Sequence, residues 1–171
     1  MRFAYADPPY LGCAVRLYGD HPEAAKYDSV MGHRALIADL VSEYPDGWAL
    51  SMASVNLWEL LPLCPADVRV MAWVKPFASF KPGVPVAYAW EPVIVRGGRK
   101  RDREQDTVRD WCAANITMQK GLPGAKPEEF CYWIFSVLNI HPGDELDDLF
   151  PGSGNVGAAW ERWQRQRRLF A

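Results

Sequence analysis

Short apolar runs predict strands at residues 3–6, 48–52, 68–74 and 88–95. A fifth, more polar strand is predicted at residues 144–150. Most of them end at a proline, a glycine or a charged residue, and proline in particular cannot continue a paired central strand. The pattern also predicts a loop over residues 77–85 and a last edge strand over residues 167–171.

Apolar positions at helical spacing predict helices between these strands. One helix covers residues 33–44 and is followed by the Pro-Asp-Gly sequence of residues 45–47, which favours a helix end. Ser54 is predicted to be the N-cap of a second helix, and Pro127 to take the first helical position of a third. A closing helix has an apolar face over residues 156–163.

Strands that alternate with helices are typical of an α/β fold, with a mostly parallel sheet and helices on both faces. The chain has 171 residues, which is close to the common size of one domain, and no repeat or linker divides it. The sequence therefore predicts one domain over residues 1–171, with the polar stretch at about residues 98–125 as an insertion.

The composition excludes several classes of protein. Hydrophobic residues make up 49% of the chain and charged residues 23%, which excludes a disordered chain and a simple coiled coil. The net charge of −2 argues against a strongly basic nucleic-acid coat but leaves room for a local basic surface. The spacing of the cysteines and histidines suggests no metal site. No apolar run is long enough to span a membrane or form a signal peptide, so we expect a cytoplasmic protein.

The sequence Asp7-Pro8-Pro9-Tyr10 follows the first predicted strand and carries candidate chemistry. Two prolines stiffen this loop, so the carboxylate and the aromatic ring keep a fixed orientation. Such a pair suits a flat ligand with an amine, because the amine can donate to the carboxylate while the ring stacks on the ligand. The alternative is a proline-rich turn with a buried tyrosine.

A second candidate loop, residues 148–154, joins a predicted strand to a helix through Gly152 and Gly154. Glycine allows a ligand to approach the backbone closely, and the following helix presents its positive end to an anionic group. The spacing does not fit the dinucleotide-binding fingerprint, and a plain strand-to-helix turn is the alternative interpretation.

Together these loops resemble those of the S-adenosylmethionine-dependent amino-methyltransferases of DNA. That family has a D-P-P-Y catalytic loop, a D-x-F-x-G-S-G cofactor loop and a K-P pair before the cofactor strand. The counterparts here are Asp7-Pro8-Pro9-Tyr10, Asp148-Leu149-Phe150-Pro151-Gly152-Ser153-Gly154 and Lys126-Pro127. The catalytic loop comes first, which resembles the permuted beta group of the family. This resemblance implies a Rossmann-like S-adenosylmethionine methyltransferase fold that is shortened at its C-terminal end.

The resemblance also implies roles for individual residues. Asp7 and the carbonyl of Pro8 would accept hydrogen bonds from the exocyclic amine of a flipped-out base, and Tyr10 would stack on that base. The implied catalytic residues are Asp7, Pro8, Pro9 and Tyr10. The implied cofactor-binding residues are Asp7, Lys126, Pro127, Asp148, Phe150, Pro151, Gly152, Ser153 and Gly154. An aspartate at the start of the D-P-P-Y loop implies adenine N6 rather than cytosine N4 as the target.

DNA is the implied partner, with RNA as a less favoured one, and one alternative function is that of an RNA base methyltransferase. The candidate phosphate contacts are Lys75, Lys81, Arg96, Arg99, Lys100, Arg101 and Arg103. The recognition region of the family is larger than residues 98–125, which implies a homodimer or a separate specificity subunit. The family's ribose-binding acid has no counterpart before Ala171, so a further alternative function is a catalytically weak or inactive subunit with the methyltransferase fold, or a DNA-binding partner.

Overall fold

The computed structural model describes residues 1–13, 19, 22–77, 83–116 and 125–168, which form six strands and five α-helices. The strands are β1 (Arg2–Ala6), β2 (Gly47–Ser51), β3 (Arg69–Val74), β4 (Trp90–Gly97), β5 (Trp111–Ala113) and β6 (Glu145–Asp148). The helices are α1 (Pro22–Tyr27), α2 (Val30–Glu43), α3 (Leu57–Leu60), α4 (Glu128–Val137) and α5 (Asn155–Arg168). Two 3-10 turns, Ser54–Asn56 and Leu61–Leu63, flank α3.

The six strands form one sheet in the order β5-β3-β4-β2-β1-β6. Strand β1 pairs in parallel with β2 and with β6, and β3 pairs in parallel with β5. Strand β4 runs antiparallel to both of its neighbours, β2 and β3. The predicted α/β fold with a mostly parallel sheet is therefore confirmed.

Successive residues of the central strands divide the core between the two faces of the sheet. In β1, Phe3 and Tyr5 pack on the face that α4 and α5 cover, whereas Ala4 and Ala6 pack on the face that α1, α2 and α3 cover. All four residues are at most 1% exposed. Because helices cover both faces, these strands are apolar along their length, and the sequence shows them as continuous apolar runs.

Most of the predicted strands are confirmed, and one strand escaped prediction. The five predicted strands correspond to β1, β2, β3, β4 and β6, with bounds that differ by at most two residues. Strand β5 lies in the polar stretch of residues 98–125, where no apolar run marks it. The last edge strand predicted for residues 167–171 is wrong at its start, because α5 continues through Arg168. The remaining residues of that prediction, 169–171, lie outside the described part of the chain, as do residues 78–82 of the predicted loop.

Two predicted helix starts are wrong by one position. Ser54 is the first residue of a 3-10 turn whose N-cap is Ala53, so the Ser54 side chain caps no helix. Pro127 has an extended backbone (ψ 156°) and is itself the N-cap of α4, which begins at Glu128. A side-chain cap occurs instead at Ser29, whose Oγ accepts a hydrogen bond from the Gly32 amide at the start of α2.

The sheet brings several polar residues to one edge. Strands β1, β2 and β6 are parallel, so their carboxyl ends share this edge, and the antiparallel strand β4 begins there. This carboxyl edge carries Asp7 after β1, Lys75 after β3, Glu91 near the start of β4 and Asp148 at the end of β6. Open α/β sheets bind ligands at such an edge. No helix among the described residues is both long and apolar enough to cross a bilayer.

Candidate active site

Two carboxylates and two ammonium groups meet at the carboxyl edge. Lys126 Nζ lies 2.9 Å from Asp7 Oδ1 and 3.3 Å from Glu91 Oε2. Lys75 Nζ donates a hydrogen bond to Glu91 Oε1. We call Asp7, Glu91, Lys75 and Lys126 the charge cluster. Its formal charges cancel, so each charge that is removed from water has an opposite partner.

Lys126 is the most deeply enclosed member of the charge cluster. Its side chain is only 4% exposed. The ammonium lies 5.1 Å from the ring centroid of Trp73, 5.6 Å from that of Tyr10 and 5.9 Å from that of Phe130. Because the faces of aromatic rings attract a cation, these rings and the two carboxylates hold the ammonium in a fixed place.

The two carboxylates of the charge cluster differ in their proton affinity. Burial opposes the charge of Lys126, but Asp7 and Glu91 outweigh this effect and raise the pKa of Lys126 to about 12. Burial also raises the pKa of Glu91, but Lys126 and Lys75 bring it below its ordinary value. Asp7 contacts only one of the two lysines, and burial keeps the pKa of Asp7 above its ordinary value. Asp7 is therefore the carboxylate of the cluster whose proton affinity is raised.

The hydroxyl of Tyr10 ties the D-P-P-Y loop to the charge cluster. It lies 2.8 Å from Glu91 Oε2 and 3.2 Å from Asp7 Oδ1, and it accepts a hydrogen bond from Lys126 Nζ at 3.1 Å. Burial raises the pKa of Tyr10 well above its ordinary value, so the hydroxyl keeps its proton and donates to a carboxylate. The loop is thereby fixed at Asp7 and at Tyr10.

One carboxylate oxygen of Asp7 remains available to a ligand. Oδ1 is used by Lys126 and Tyr10, whereas no described residue donates to Oδ2, and the side chain is 22% exposed. The carbonyl of Pro8 likewise receives no hydrogen bond from the described part of the chain. Pro8 is buried and Pro9 is half-buried, so the loop backbone is held against the protein. Asp7 and Pro8 thus offer two neighbouring acceptors, which matches the two N–H donors of an amine.

The chain turns from β6 into α5 through residues 151–154. Gly152 and Gly154 have φ values of +40° and +74°, in the left-handed region that favours glycine, and the Gly154 amide donates to the Pro151 carbonyl at 2.6 Å. A Cβ atom at Gly154 would have no neighbour within 4 Å, and one at Gly152 would meet only the Phe150 carbonyl at 3.7 Å. This glycine turn therefore has an open side, which allows a ligand to reach its backbone.

The structure brings the glycine turn next to the charge cluster. Asn155, the first residue of α5, donates from Nδ2 to the carbonyl of Lys126 at 3.2 Å. Strands β1 and β6 are neighbours, with Tyr5 paired to Asp148, so Asp7 lies beside the end of β6. The residues predicted for catalysis and for the cofactor therefore occupy one region of the molecule.

Asp148 has a carboxylate oxygen without a partner. Its Oδ1 accepts a hydrogen bond from the Phe150 amide at 3.4 Å, whereas Oδ2 is buried and has no hydrogen-bond partner among the described residues. Burial, reinforced by Asp7, raises the pKa of Asp148 to about 6, although the Phe150 amide opposes this shift. An unpaired buried carboxylate is unfavourable in a folded protein and often marks a ligand site.

The basic residues predicted to contact phosphate have varied surroundings. Four are engaged within the protein: Lys75 with Glu91, Arg96 with Asp67, Arg99 with Asp144 and Arg101 with the carbonyl of Asp106. Lys100 and Arg103 are exposed, and no described residue forms an ion pair with them. Lys81 lies outside the described residues. The role of these residues toward nucleic acid stays a prediction.

Glu91 was missed in the sequence, although it contacts both lysines of the charge cluster and Tyr10. The available signal was weak: one acid within the otherwise apolar run of residues 88–95. Its partners are distant in the sequence, so no local motif includes it. Within the part of the chain that the structure describes, no group of three or more His, Cys, Asp or Glu side chains could hold a metal ion.

Comparison with known proteins identifies similar solved structures. No protein-family model and no curated protein matches the chain. The crystal structure of the M1.HpyAVI–SAM complex matches with a TM-score of 0.60 and 14% identity, over 94% of this chain and 77% of that one. A second structure, of M1.HpyAVI, matches with a TM-score of 0.58 and 14% identity, over 95% of this chain and 76% of that one. The predicted Rossmann-like methyltransferase fold is confirmed by this similarity.

Proposed function

We propose that the protein is an S-adenosylmethionine-dependent methyltransferase that acts on an exocyclic base amine in DNA, with adenine N6 as the target. The observation that carries the proposal is Asp7 Oδ2, to which no described residue donates and which lies at the carboxyl edge beside the glycine turn. The fold similarity to M1.HpyAVI, which was solved as a complex with SAM, supports the choice of cofactor.

The glycine turn fits S-adenosylmethionine. The orphaned Oδ2 of Asp148 offers an acceptor to a hydrogen-bond donor of the ligand, and the open side of the turn exposes its backbone. The other proposed contacts are Asp7, Lys126, Pro127, Phe150, Pro151, Gly152, Ser153 and Gly154. When bound, S-adenosylmethionine supplies an electrophilic methyl group.

Asp7 and Pro8 would make the target amine a nucleophile. An exocyclic amine is a poor one, because its lone pair is delocalised into the base ring. Hydrogen bonds from the two N–H groups to Asp7 Oδ2 and to the Pro8 carbonyl favour a tetrahedral nitrogen with a localised lone pair. This lone pair would attack the methyl carbon while the bond from that carbon to the cofactor sulfur breaks, and the demethylated cofactor would leave as a neutral thioether. The nitrogen then loses one proton, which Asp7 Oδ2 can accept and pass to water. Because Lys126 and Tyr10 hold Oδ1, the carboxylate keeps its orientation through the reaction.

The substrate must present its base outside the duplex, because the amine of a paired base cannot be reached inside it. Tyr10 is the proposed stacking partner of the extruded base. Lys100 and Arg103, which are exposed, are the proposed phosphate contacts. The rest of target recognition is proposed to come from a second copy of the chain or from a separate subunit.

The test separates turnover from cofactor binding. Asp7→Ala removes the amine acceptor and one cofactor contact but leaves the glycine turn and the other proposed cofactor contacts in place. Turnover should therefore fall by about 10²–10⁴-fold, while the affinity for S-adenosylmethionine falls by no more than about tenfold. Asp39→Ala removes an exposed acid on α2 and serves as the matched control. Methyl transfer from labelled cofactor and calorimetric cofactor binding are measured on both variants, with thermal unfolding to check the fold.

Three outcomes would overturn parts of the proposal. Wild-type turnover in Asp7→Ala would contradict the catalytic role of Asp7. Methyl transfer to RNA, but not to duplex DNA of matched sequence, would mean that the substrate is RNA and not DNA. Cofactor binding without methyl transfer to DNA or RNA would favour the alternative function, that of an inactive subunit that retains the methyltransferase fold.

A further inference from the structure

A cavity of about 370 Å³ lies at the edge of the sheet opposite to the charge cluster. Four arginines line it, and we call it the arginine cavity. They are Arg69, Arg99, Arg101 and Arg109. The only carboxylate among the lining residues is that of Asp110. The cavity therefore has an excess of positive charge.

The arginine cavity is separate from the candidate active site. Arg69 is the first residue of β3, and Arg99 lies two residues after the end of β4. Lys75 and Glu91, which belong to the charge cluster, lie at the other ends of the same two strands. A strand of this length spans about 20 Å, so one small ligand cannot contact both regions.

The existing partners of Arg69 and Arg99 leave hydrogen-bonding capacity in the cavity. Arg69 lies 3.6 Å from Asp110, with both side chains more than half exposed, and such a pair is weak. Arg99 Nη2 donates to both oxygens of Asp144 at 2.7 Å. Its Nε is buried and has no hydrogen-bond partner among the described residues. A buried N–H without an acceptor is unfavourable, so the hydrogen-bonding capacity of the Arg99 guanidinium is incompletely used.

The other two arginines have no acidic partner in the described part of the chain. Arg101 donates to the carbonyls of Asp106 and Ser136, and Arg109 lies over the Trp111 ring at 5.3 Å. The Ser136 carbonyl is near the C-terminus of α4, whose dipole attracts a cation. That dipole is equivalent to about half a charge, so it explains the position of Arg101 without neutralising the cavity.

We propose that the arginine cavity binds a small phosphate-bearing ligand of nucleotide size. Guanidinium groups match phosphate oxygens in bidentate geometry, and they are more weakly hydrated than ammonium groups. The volume falls in the range of small-molecule sites, which begins at about 300 Å³. Met71, Val108 and Val137 line the remainder of the cavity and suit an uncharged part, such as a nucleoside. The proposal does not depend on the proposed function, because it concerns another edge of the sheet.

Calorimetry with adenosine 5′-monophosphate, adenosine and inorganic phosphate at constant ionic strength tests this proposal. The monophosphate should bind with a submillimolar Kd, and adenosine at least about tenfold more weakly. Arg109→Gln and Arg101→Gln should each weaken monophosphate binding by about tenfold, while Arg101→Lys should lose less because it keeps the charge. Arg165→Gln is the matched control, since Arg165 is 72% exposed and pairs with Glu161 on α5. Saturating S-adenosylmethionine should leave monophosphate binding unchanged.

The proposal is overturned by any of three results. The first is no binding of a phosphate compound at millimolar concentration. The second is binding that the arginine substitutions leave unchanged or that S-adenosylmethionine abolishes. The third is an arginine-dependent affinity for duplex DNA alone, measured by fluorescence anisotropy, without monophosphate binding. Thermal unfolding of each variant shows that a loss of binding is not a loss of fold.

Discussion

Replacing Asp148 by asparagine should make the protein more resistant to unfolding at neutral pH. The carboxylate has a buried Oδ2 without a partner, and burial raises its pKa to about 6. An unperturbed aspartate in the unfolded chain has a pKa of about 3.9. The native state therefore holds this proton more tightly than the unfolded state does, and the ionised side chain destabilises the fold.

The sign and size of the effect follow from this difference in pKa. Stability falls as the pH rises from the unfolded pKa through the folded pKa, and the full penalty is present above about pH 6. A difference of about two pKa units corresponds to at most about 3 kcal/mol, of which about 2–3 kcal/mol develops between about pH 4 and pH 8. Asparagine cannot ionise, so Asp148→Asn should remove this pH dependence whatever its own hydrogen bonds contribute.

Urea unfolding of wild type and Asp148→Asn across this pH range measures the effect. The free energy of unfolding of the variant, relative to wild type, should increase by about 2–3 kcal/mol from acid to alkaline pH. A difference in the free energy of unfolding between variant and wild type that stays constant across the pH range would refute the reasoning. Asp147→Asn is the control on the same strand, because Asp147 Oδ2 accepts hydrogen bonds from Arg2 and Tyr44. Its replacement should destabilise the protein by about 0.5–1.5 kcal/mol.

Three further changes have expected outcomes. Gly152→Ala should lower the free energy of urea unfolding by about 1–2 kcal/mol, because a φ of +40° is unfavourable for alanine. Gly157→Ala, inside α5, is the control and should raise the free energy of unfolding by about 1 kcal/mol. An unchanged stability of Gly152→Ala would contradict the expected backbone strain. Glu91→Gln should lower the free energy of unfolding by about 1–3 kcal/mol at neutral pH. This loss of stability should disappear as the pH falls through the lowered pKa of Glu91, and a loss of equal size at every pH would contradict the prediction. Trp111→Ala should shift sedimentation from dimer to monomer, because this exposed tryptophan lies on the edge strand β5, and a monomeric wild type would rule that interface out.

The features that the sequence predicts well are local ones. The central strands are buried on both faces, so residues 48–52 and 68–74 show them as apolar runs. The D-P-P-Y loop and the glycine turn are each one continuous segment of the sequence. Each of them comes directly after a predicted strand, β1 for the loop and β6 for the turn. Each of these predictions needs only neighbouring residues.

The features that escaped prediction depend on distant residues. Strand β5 has only three residues and pairs with β3 alone, and its Trp111 is exposed, so no apolar pattern marks it. Lys126 bonds to a hydroxyl 116 residues earlier in the chain, and Arg99 pairs with a carboxylate 45 residues later. Such pairs appear only once the sheet order is known.

Nucleoside mass spectrometry of DNA from cells that express the protein tests the central claim most directly. Wild type should introduce N6-methyladenine, and Asp7→Ala, expressed at the same soluble level, should not. N4-methylcytosine in place of N6-methyladenine would correct the target base but keep the reaction. DNA without either modified base, from cells that contain folded wild-type protein, would contradict the proposed activity.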